Sequence, residues 1–157
     1  MSLARRAFQL DETDPGVYEV MGLTLTKHGK HEEALDWYQR GLSIDPTSAN
    51  CHNGIGQLGL LSGNVEQALS AFTLSIGLSP FPPWWHFDPL GRAQLFAGDV
   101  ENALITLTRP DIVREFSGSF VATAFAAAGL QREAHQAVAE FQKFQPHWRL
   151  VWKQRQH

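Results

Sequence analysis

The sequence has a single cysteine, Cys51, and therefore cannot form a disulfide within the chain. This shortage favours a reducing compartment, because disulfide-stabilised folds belong to oxidising ones. The sequence also has no apolar run that approaches the roughly 18 residues of a membrane span, and its first residues lack the apolar core of a signal peptide. The formal net charge is only -3, so no basic excess draws the chain towards nucleic acid or anionic lipid. We therefore expect a cytoplasmic protein with neither a nucleic-acid nor a membrane partner.

The composition that remains is that of a globular protein. Of the 157 residues, 43% are hydrophobic and 18% are charged, which excludes a disordered chain. A chain of this length buries about two thirds of its unfolded surface when it folds. One compact domain or one short array of repeats fits that size.

One six-residue motif occurs four times along the chain. Each copy begins with glycine and ends with alanine, at residues 29–34, 63–68, 98–103 and 129–134. Successive glycines are 34, 35 and 31 residues apart. A fixed period of this size predicts an architecture of stacked repeats.

The residues of the motif predict a turn between two helices. The glycine follows an apolar stretch and can adopt the left-handed conformation that ends a helix. Asn64 and Asp99 come next in two copies and are suited to cap the N-terminus of a second helix. The alanine one turn further on lets that second helix lie close against the first. Each copy therefore predicts a helix–turn–helix hairpin.

The apolar and small residues around the motif carry a family resemblance. They are Gly22, Leu25, Gly29, Ala34, Tyr38 and Pro46 in the first unit, and Gly56, Gly63, Ala68, Phe72 and Pro80 in the second. At this spacing the chain resembles the tetratricopeptide repeat over residues 15–146, with Tyr18 and His52 where that family usually has tryptophan. The resemblance implies an all-α fold, a right-handed α-solenoid of stacked hairpins.

The chain is expected to form a single domain over residues 1–157. Its predicted parts are the end of a preceding repeat or a capping helix (3–14), repeats 1 and 2 (15–48 and 49–82), an irregular repeat 3 (83–110), repeat 4 (111–146) and a terminal capping helix (147–157). The opening stretch resembles an interior repeat rather than the polar cap that ends an array, so we expect this chain to be a fragment of a longer repeat array. In repeat 3, Pro89 should shift or kink the start of the first helix, and Pro110 should shorten the second to about 100–108.

The resemblance also implies a binding surface. In this family the first helix of each hairpin lines a concave groove that holds an extended peptide or a partner helix. Carried onto this sequence, the groove consists of Glu19, Leu23, Lys27, Asn53, Gln57, Leu60, Trp85, Asp88, Arg92 and Phe96, with Thr26, Leu61, Leu95, Ser119, Thr123 and Ala127 as a wider set. The spread basic residues with which chaperone-binding members clamp a terminal carboxylate are missing at the corresponding positions.

Other chemistry finds little support. Gly54, Gly56 and Gly59 match the dinucleotide-binding pattern Gly-x-Gly-x-x-Gly, but they lie within a predicted helix, and no preceding strand or later acidic residue completes the site. We expect Gly56 to allow close helix packing, and Gly54 and Gly59 either to loosen their helix or to leave room for a ligand to approach the backbone. Cys51, at the start of a helix, could have a lowered pKa, but no base lies nearby. No residue set predicts catalysis, a cofactor or a metal site.

Two functions remain. The leading interpretation is a non-enzymatic protein–protein interaction scaffold that binds a peptide or partner helix in its groove. The alternative is a regulatory or self-association module of a larger bacterial signalling protein, acting as a homodimer. It rests on the irregular connections between the repeats and on the cluster of prolines and aromatic rings at residues 79–89. Over about 40 residues these features resemble the repeat regions of bacterial nucleotide cyclases and winged-helix transcriptional regulators.

Overall fold

In the computed structural model the described residues, 12–147, form eight α-helices and no strand. The helices are α1 (Pro15–Lys27), α2 (His31–Ile44), α3 (Ala49–Ser62), α4 (Val65–Leu78), α5 (Trp84–Phe96), α6 (Val100–Leu107), α7 (Arg114–Ala127) and α8 (Gln131–Gln142). The predicted segments 3–14 and 147–157 fall almost entirely outside the described residues and stay predictions.

The four turn glycines end the first helix of each hairpin as the sequence predicts. Gly29, Gly63, Gly98 and Gly129 have φ between 72° and 80°, in the left-handed region. In every case the N–H of the next residue bonds to the carbonyl five residues back, at 2.8–3.0 Å. These bonds satisfy carbonyls that the helix end would otherwise leave without a donor.

The second helix of a hairpin begins at a polar cap in repeats 2 and 3. The side chain of Asn64 accepts a hydrogen bond from the Gln67 backbone N–H at 3.1 Å, and Asp99 accepts one from Asn102 at 3.3 Å. Both predicted caps are confirmed. The equivalent residues of repeats 1 and 4, Lys30 and Leu130, make no such bond.

Glycines and alanines set how closely the helices approach. The motif alanines are 0–5% exposed. The Tyr38 ring lies between Gly22 of α1 and Gly54 of α3, and a Cβ atom on either glycine would overlap the ring. A Cβ on Gly59 would come within 3.0 Å of the Ala68 backbone nitrogen. Gly54 and Gly59 therefore have a packing role that the sequence did not reveal, because Tyr38 and Ala68, which pack against them, come from other helices.

The hairpins stack in chain order. Each first helix packs on its own second helix, and α2, α4 and α6 pack on the first helix of the next repeat. The first helices also contact one another, α1 with α3, α3 with α5, and α5 with α7. The buried core follows the stack, from Leu25 and Tyr38 through Phe72 to Leu107 and Val121. The all-α solenoid that the sequence predicts is confirmed.

Repeat 3 departs from its neighbours at its prolines. Helix α5 begins directly after Pro83 and continues past Pro89, which is buried. The helix start is therefore not shifted. The alternative, a kink at Pro89, stays a prediction, because a proline here removes the hydrogen bond from residue 89 to the Trp85 carbonyl and also crowds that carbonyl. Helix α6 ends at Leu107, before Pro110, as expected. Its Leu107 carbonyl accepts a bond from Arg114 at 2.8 Å.

Candidate partner-binding groove

The first helices of the four repeats form one continuous surface, and the predicted groove residues lie on them with very different exposure. Leu23 and Lys27 of α1 are exposed, Glu19 is half-buried, and none of the three lines the pocket where α3, α5 and α7 meet. On α3, Gln57 and Leu60 are half-buried, while Asn53 is only 2% exposed. Asn53 therefore faces the packed interior, where its side-chain oxygen accepts a bond from Gln57 at 2.7 Å.

A pocket of about 390 Å³ lies where α3, α5 and α7 meet. It is lined by Gln57, Leu60 and Leu61 of α3, by Trp85, Asp88, Pro89, Arg92 and Phe96 of α5, and by Phe120 of α7. Its volume is within the range of ligand-binding clefts, which are mostly apolar with a few fixed polar groups. Six of the ten predicted groove residues meet here, and we call this cavity the central pocket.

The floor of the central pocket is an ion pair. The Arg92 guanidinium lies 2.6 Å from one carboxylate oxygen of Asp88, and the buried Ser117 hydroxyl donates to the other. Asp88 is 6% exposed, so both its oxygens are satisfied below the surface. Breaking one side of a buried pair leaves an uncompensated charge, so the pair keeps Asp88 and Arg92 together.

The walls of the central pocket are aromatic. Phe120 packs its ring beneath Arg92, with the guanidinium carbon 4.3 Å from the ring centroid, and meets the Phe96 ring edge to face at 6.2 Å. Trp85 is 42% exposed at the opposite end of α5, whereas Trp84 is half-buried and stacks on Phe116 at 5.8 Å. Phe120 was absent from the predicted groove. The wider predicted set contained the adjacent residue Ser119, so the prediction on α7 was displaced by one position along the helix.

A second, larger depression of about 840 Å³ runs along α4, on the outer side of repeat 2. All of its lining residues, from Glu66 to Leu78, belong to that one helix. Because one helix supplies its whole lining, this depression is a shallow surface rather than a cleft. The central pocket is the better enclosed of the two.

A polar cluster at the joint between repeats 2 and 3 contains residue types that catalysis also uses. His86 lies 3.1 Å from the Ser75 hydroxyl and 3.2 Å from the Asn50 amide oxygen, and Ser75 donates to the Ala49 carbonyl at 2.7 Å. Ser75 is 0% and His86 2% exposed, so no substrate reaches the hydroxyl. Burial lowers the pKa of His86, because desolvation disfavours the charged ring. The cluster holds α5 against α3 and α4.

The remaining candidate groups are inert in this fold. Burial raises the pKa of the Cys51 thiol, which opposes thiolate formation and corrects the expectation of a lowered value. Gly54, Gly56 and Gly59 lie inside α3. A dinucleotide-binding motif instead needs its glycines in the turn before a helix, where the helix N-terminus faces the phosphates. Across residues 12–147, no group of three or more metal-ligating side chains is placed to hold an ion. Over the same residues, no helix is both long and apolar enough to cross a bilayer.

Stacked hairpins whose first helices share one continuous surface define the class of helical-repeat solenoids. Residues 22–63 match the family model described as TPR repeat. Residues 22–63 therefore carry the tetratricopeptide repeat that the signature residues of the first two units indicate, and the hairpin fold continues through residue 142.

Similar proteins agree on this fold. The Cell division cycle protein 16 homolog of Homo sapiens is 34% identical over 58 residues, which are 37% of this chain and 9% of that protein. The chain thus spans less than a tenth of the length of this relative. Among solved structures, YrrB superposes with a TM-score of 0.76 and 19% identity, covering 91% of this chain and 75% of that one. The thermophilic TPR protein TTC0263 of Thermus thermophilus gives 0.75 and 20%, covering 93% and 81%. At these identities the two structures show the fold alone.

Proposed function

We propose that this protein binds a peptide segment or a helix of a partner protein in the groove of its first helices, with the central pocket as the anchor. It acts as a scaffold and not as an enzyme. The observation that carries the proposal is the convergence of three repeats on one cavity with exposed aromatic walls and a fixed polar floor. Aromatic and arginine side chains in such central positions contribute most of the energy of protein interfaces.

Two further facts support this proposal. Leu61 and Phe96 are each 59% exposed beside Trp85, so the rim of the pocket presents apolar surface that a partner would remove from water. YrrB, which has the same fold, is a TPR protein with an unusual peptide-binding site.

The test begins with a phage-displayed library of random dodecapeptides panned on the 157-residue chain. Affinities of the enriched peptides are then measured by calorimetry. Trp85→Ala should weaken binding at least tenfold, because a hot-spot aromatic is worth about 2 kcal/mol or more. Ile105→Ala is the matched control, since Ile105 is 64% exposed on α6 and does not line the pocket.

The proposal fails if the enriched peptides bind both variants with the affinity of the parent chain. Thermal unfolding of Trp85→Ala must accompany the measurement, because Trp85 also contacts the His86 ring at 4.1 Å. A variant that binds weakly but unfolds as the parent does supports the pocket directly.

A second candidate, self-association through repeat 3, is favoured by a separate set of rings. Phe81 is 92% exposed in the connection before α5, and Phe116 is 59% exposed where it stacks on Trp84. Exposed apolar surface of this kind marks interaction sites. Sedimentation equilibrium tests it: a dimer that Phe81→Ser and Phe116→Ser abolish supports this candidate, and a monomer at all concentrations excludes it.

A further inference from the structure

The two side chains of the ion pair on the floor of the central pocket differ in their exposure to the groove. The Arg92 side chain is 30% exposed, whereas the Asp88 side chain is 9% exposed. Asp88 also has both oxygens engaged, one by Ser117 and one by Arg92. The carboxylate is therefore withdrawn and satisfied, and the charge that a ligand meets is the cation.

Arg92 is also held in place. Its Nη2 binds Asp88, and its guanidinium plane rests over the Phe120 ring. Within the described residues its Nε is buried and has no hydrogen-bond acceptor. A guanidinium that is already ordered loses little side-chain entropy when it binds an anion, and its planar fork matches a carboxylate.

The apolar rim of the pocket indicates which group of the ligand lies next to the anion. Trp85, Leu61 and Phe96 expose 42–59% of their surface around the same cavity. A volume of about 390 Å³ accommodates a large side chain from a bound segment. Apolar walls next to a fixed cation favour a ligand with an apolar group and a carboxylate close together.

We propose that the central pocket selects a partner segment in which a large apolar side chain has a glutamate or aspartate close to it in the bound conformation. The apolar side chain fills the cavity between Trp85 and Phe96, and the carboxylate pairs with Arg92. This inference rests on the proposed groove function and adds the chemistry of the partner. It needs one guanidinium and an internal acidic side chain, and so differs from the capture of a chain terminus by several basic residues.

The test uses a dodecapeptide selected by panning on the full chain, prepared with Glu and with Gln at the position nearest its apolar anchor. The Glu peptide should bind about tenfold more tightly at low salt, the scale of one charge-assisted hydrogen bond. Because Arg92 is partly exposed, this preference should shrink at about 0.5 M salt. Equal affinities of the two peptides at low salt, or selected peptides without acidic residues, would overturn the inference.

Substitutions then locate the preference. Arg92 is replaced together with its partner, as Asp88→Asn with Arg92→Gln, because removing the arginine alone would leave a nearly buried carboxylate unpaired. In this double variant the preference for Glu over Gln should disappear, while the Gln peptide keeps its contacts with the rim. Arg109→Gln is the matched control, since Arg109 also pairs with a carboxylate and lies over an aromatic ring, Phe87, but does not line the central pocket.

The outcomes separate the two proposals. Binding that depends on Trp85 without any preference for Glu overturns the acidic-segment inference and leaves the groove function standing. Binding independent of Trp85 overturns the groove function itself. A preference for Glu that survives the double variant places the cation elsewhere and also rejects the inference. If the double variant does not fold, the comparison of the Glu and Gln peptides on the parent chain still decides.

Discussion

Replacing Gly54 with alanine should destabilise this protein, although the same change usually stabilises a helix. Alanine is favoured over glycine by about 1 kcal/mol inside a helix. At Gly54, however, the new methyl would overlap the Tyr38 ring. Tyr38 is 2% exposed, and its ring has no room to move away because Gly22 packs against its other side. A Cβ atom built on Gly22 would lie 2.5 Å from the nearest ring carbon.

The magnitude follows from these opposing terms. Overpacking a rigid core costs about 1–3 kcal/mol, occasionally more, and a trapped ring belongs at the upper end. Subtracting the gain in helix propensity leaves a net loss of about 2 kcal/mol. Gly77 of α4 provides the matched control, because no atom lies within 4 Å of the place that a methyl group would take there. At that position the same substitution should stabilise by about 0.5–1 kcal/mol.

Urea unfolding followed by circular dichroism at the helix band measures both variants. With an m value of about 2 kcal/mol per molar, Gly54→Ala should lower the midpoint by about 1 M, and Gly77→Ala should raise it slightly. Gly54→Ala combined with Tyr38→Leu should lose less than the sum of the two single changes, since the smaller side chain makes room for the methyl. If Gly54→Ala raises the midpoint as Gly77→Ala does, the reasoning is refuted and α3 is as loose as the sequence suggested.

Two other predictions concern the joints and the caps. Because burial lowers the pKa of His86 from its ordinary value of 6.5, the unfolded chain takes up its proton first as the pH falls through that value, and stability should decline from there towards the folded-state pKa. The loss of stability is measured by comparing urea midpoints at about pH 7.5 and about pH 5.5. His86→Gln should reduce the difference between the two midpoints. An equally large difference in the variant would exclude His86 as its source. Asp99→Ala should cost about 1 kcal/mol through loss of the cap on α6, whereas Lys30→Ala, at a position without a capping bond, should change the urea midpoint little; equal effects would contradict the assigned caps.

The hairpins could be predicted from the sequence because their signals are local. Each turn depends on one glycine with positive φ, and the caps of Asn64 and Asp99 act on an N–H three residues away. Such interactions recur at fixed spacing, so four copies reinforce one another in the sequence. Even the early end of α6 follows from a single residue, Pro110.

The central pocket could be predicted only in part, because its details depend on contacts between repeats. The resemblance placed Trp85, Asp88 and Arg92 on the groove side of α5. It gave no sign that Asp88 would be almost buried, since the hydroxyl that satisfies it comes from Ser117, 29 residues away. It also gave no sign that Asn53 would be only 2% exposed. Burial of a polar side chain depends on partners that periodicity does not reveal.

Equivalent positions also exchange size from one repeat to another, which hides their pairing from a single sequence. In repeat 1, the large Tyr18 lies over Gly41, where a Cβ would meet the Tyr18 Cβ at 3.0 Å. In repeat 4 the roles are reversed, and Gly118 makes room for Phe141. The two pairs stand at the same distances from their turn glycines. In both repeats one large and one small residue fill the contact, but the large residue is on the first helix in repeat 1 and on the second helix in repeat 4. Close packing of a core requires such a compensation of volumes.

The same register explains why the central pocket forms at the irregular part of the array. Twelve residues before their turn glycines, Cys51 and His86 each contact the preceding second helix, at Gly41 and Ser75 respectively. The next residue in this series is Ser117, and its partner by position would be Pro110, which lies beyond the end of α6. Ser117 instead donates to Asp88 on α5 and so fixes the carboxylate that orders Arg92. The proline that shortens α6 thus frees a buried hydroxyl from the usual joint between repeats and makes it available to the floor of the groove.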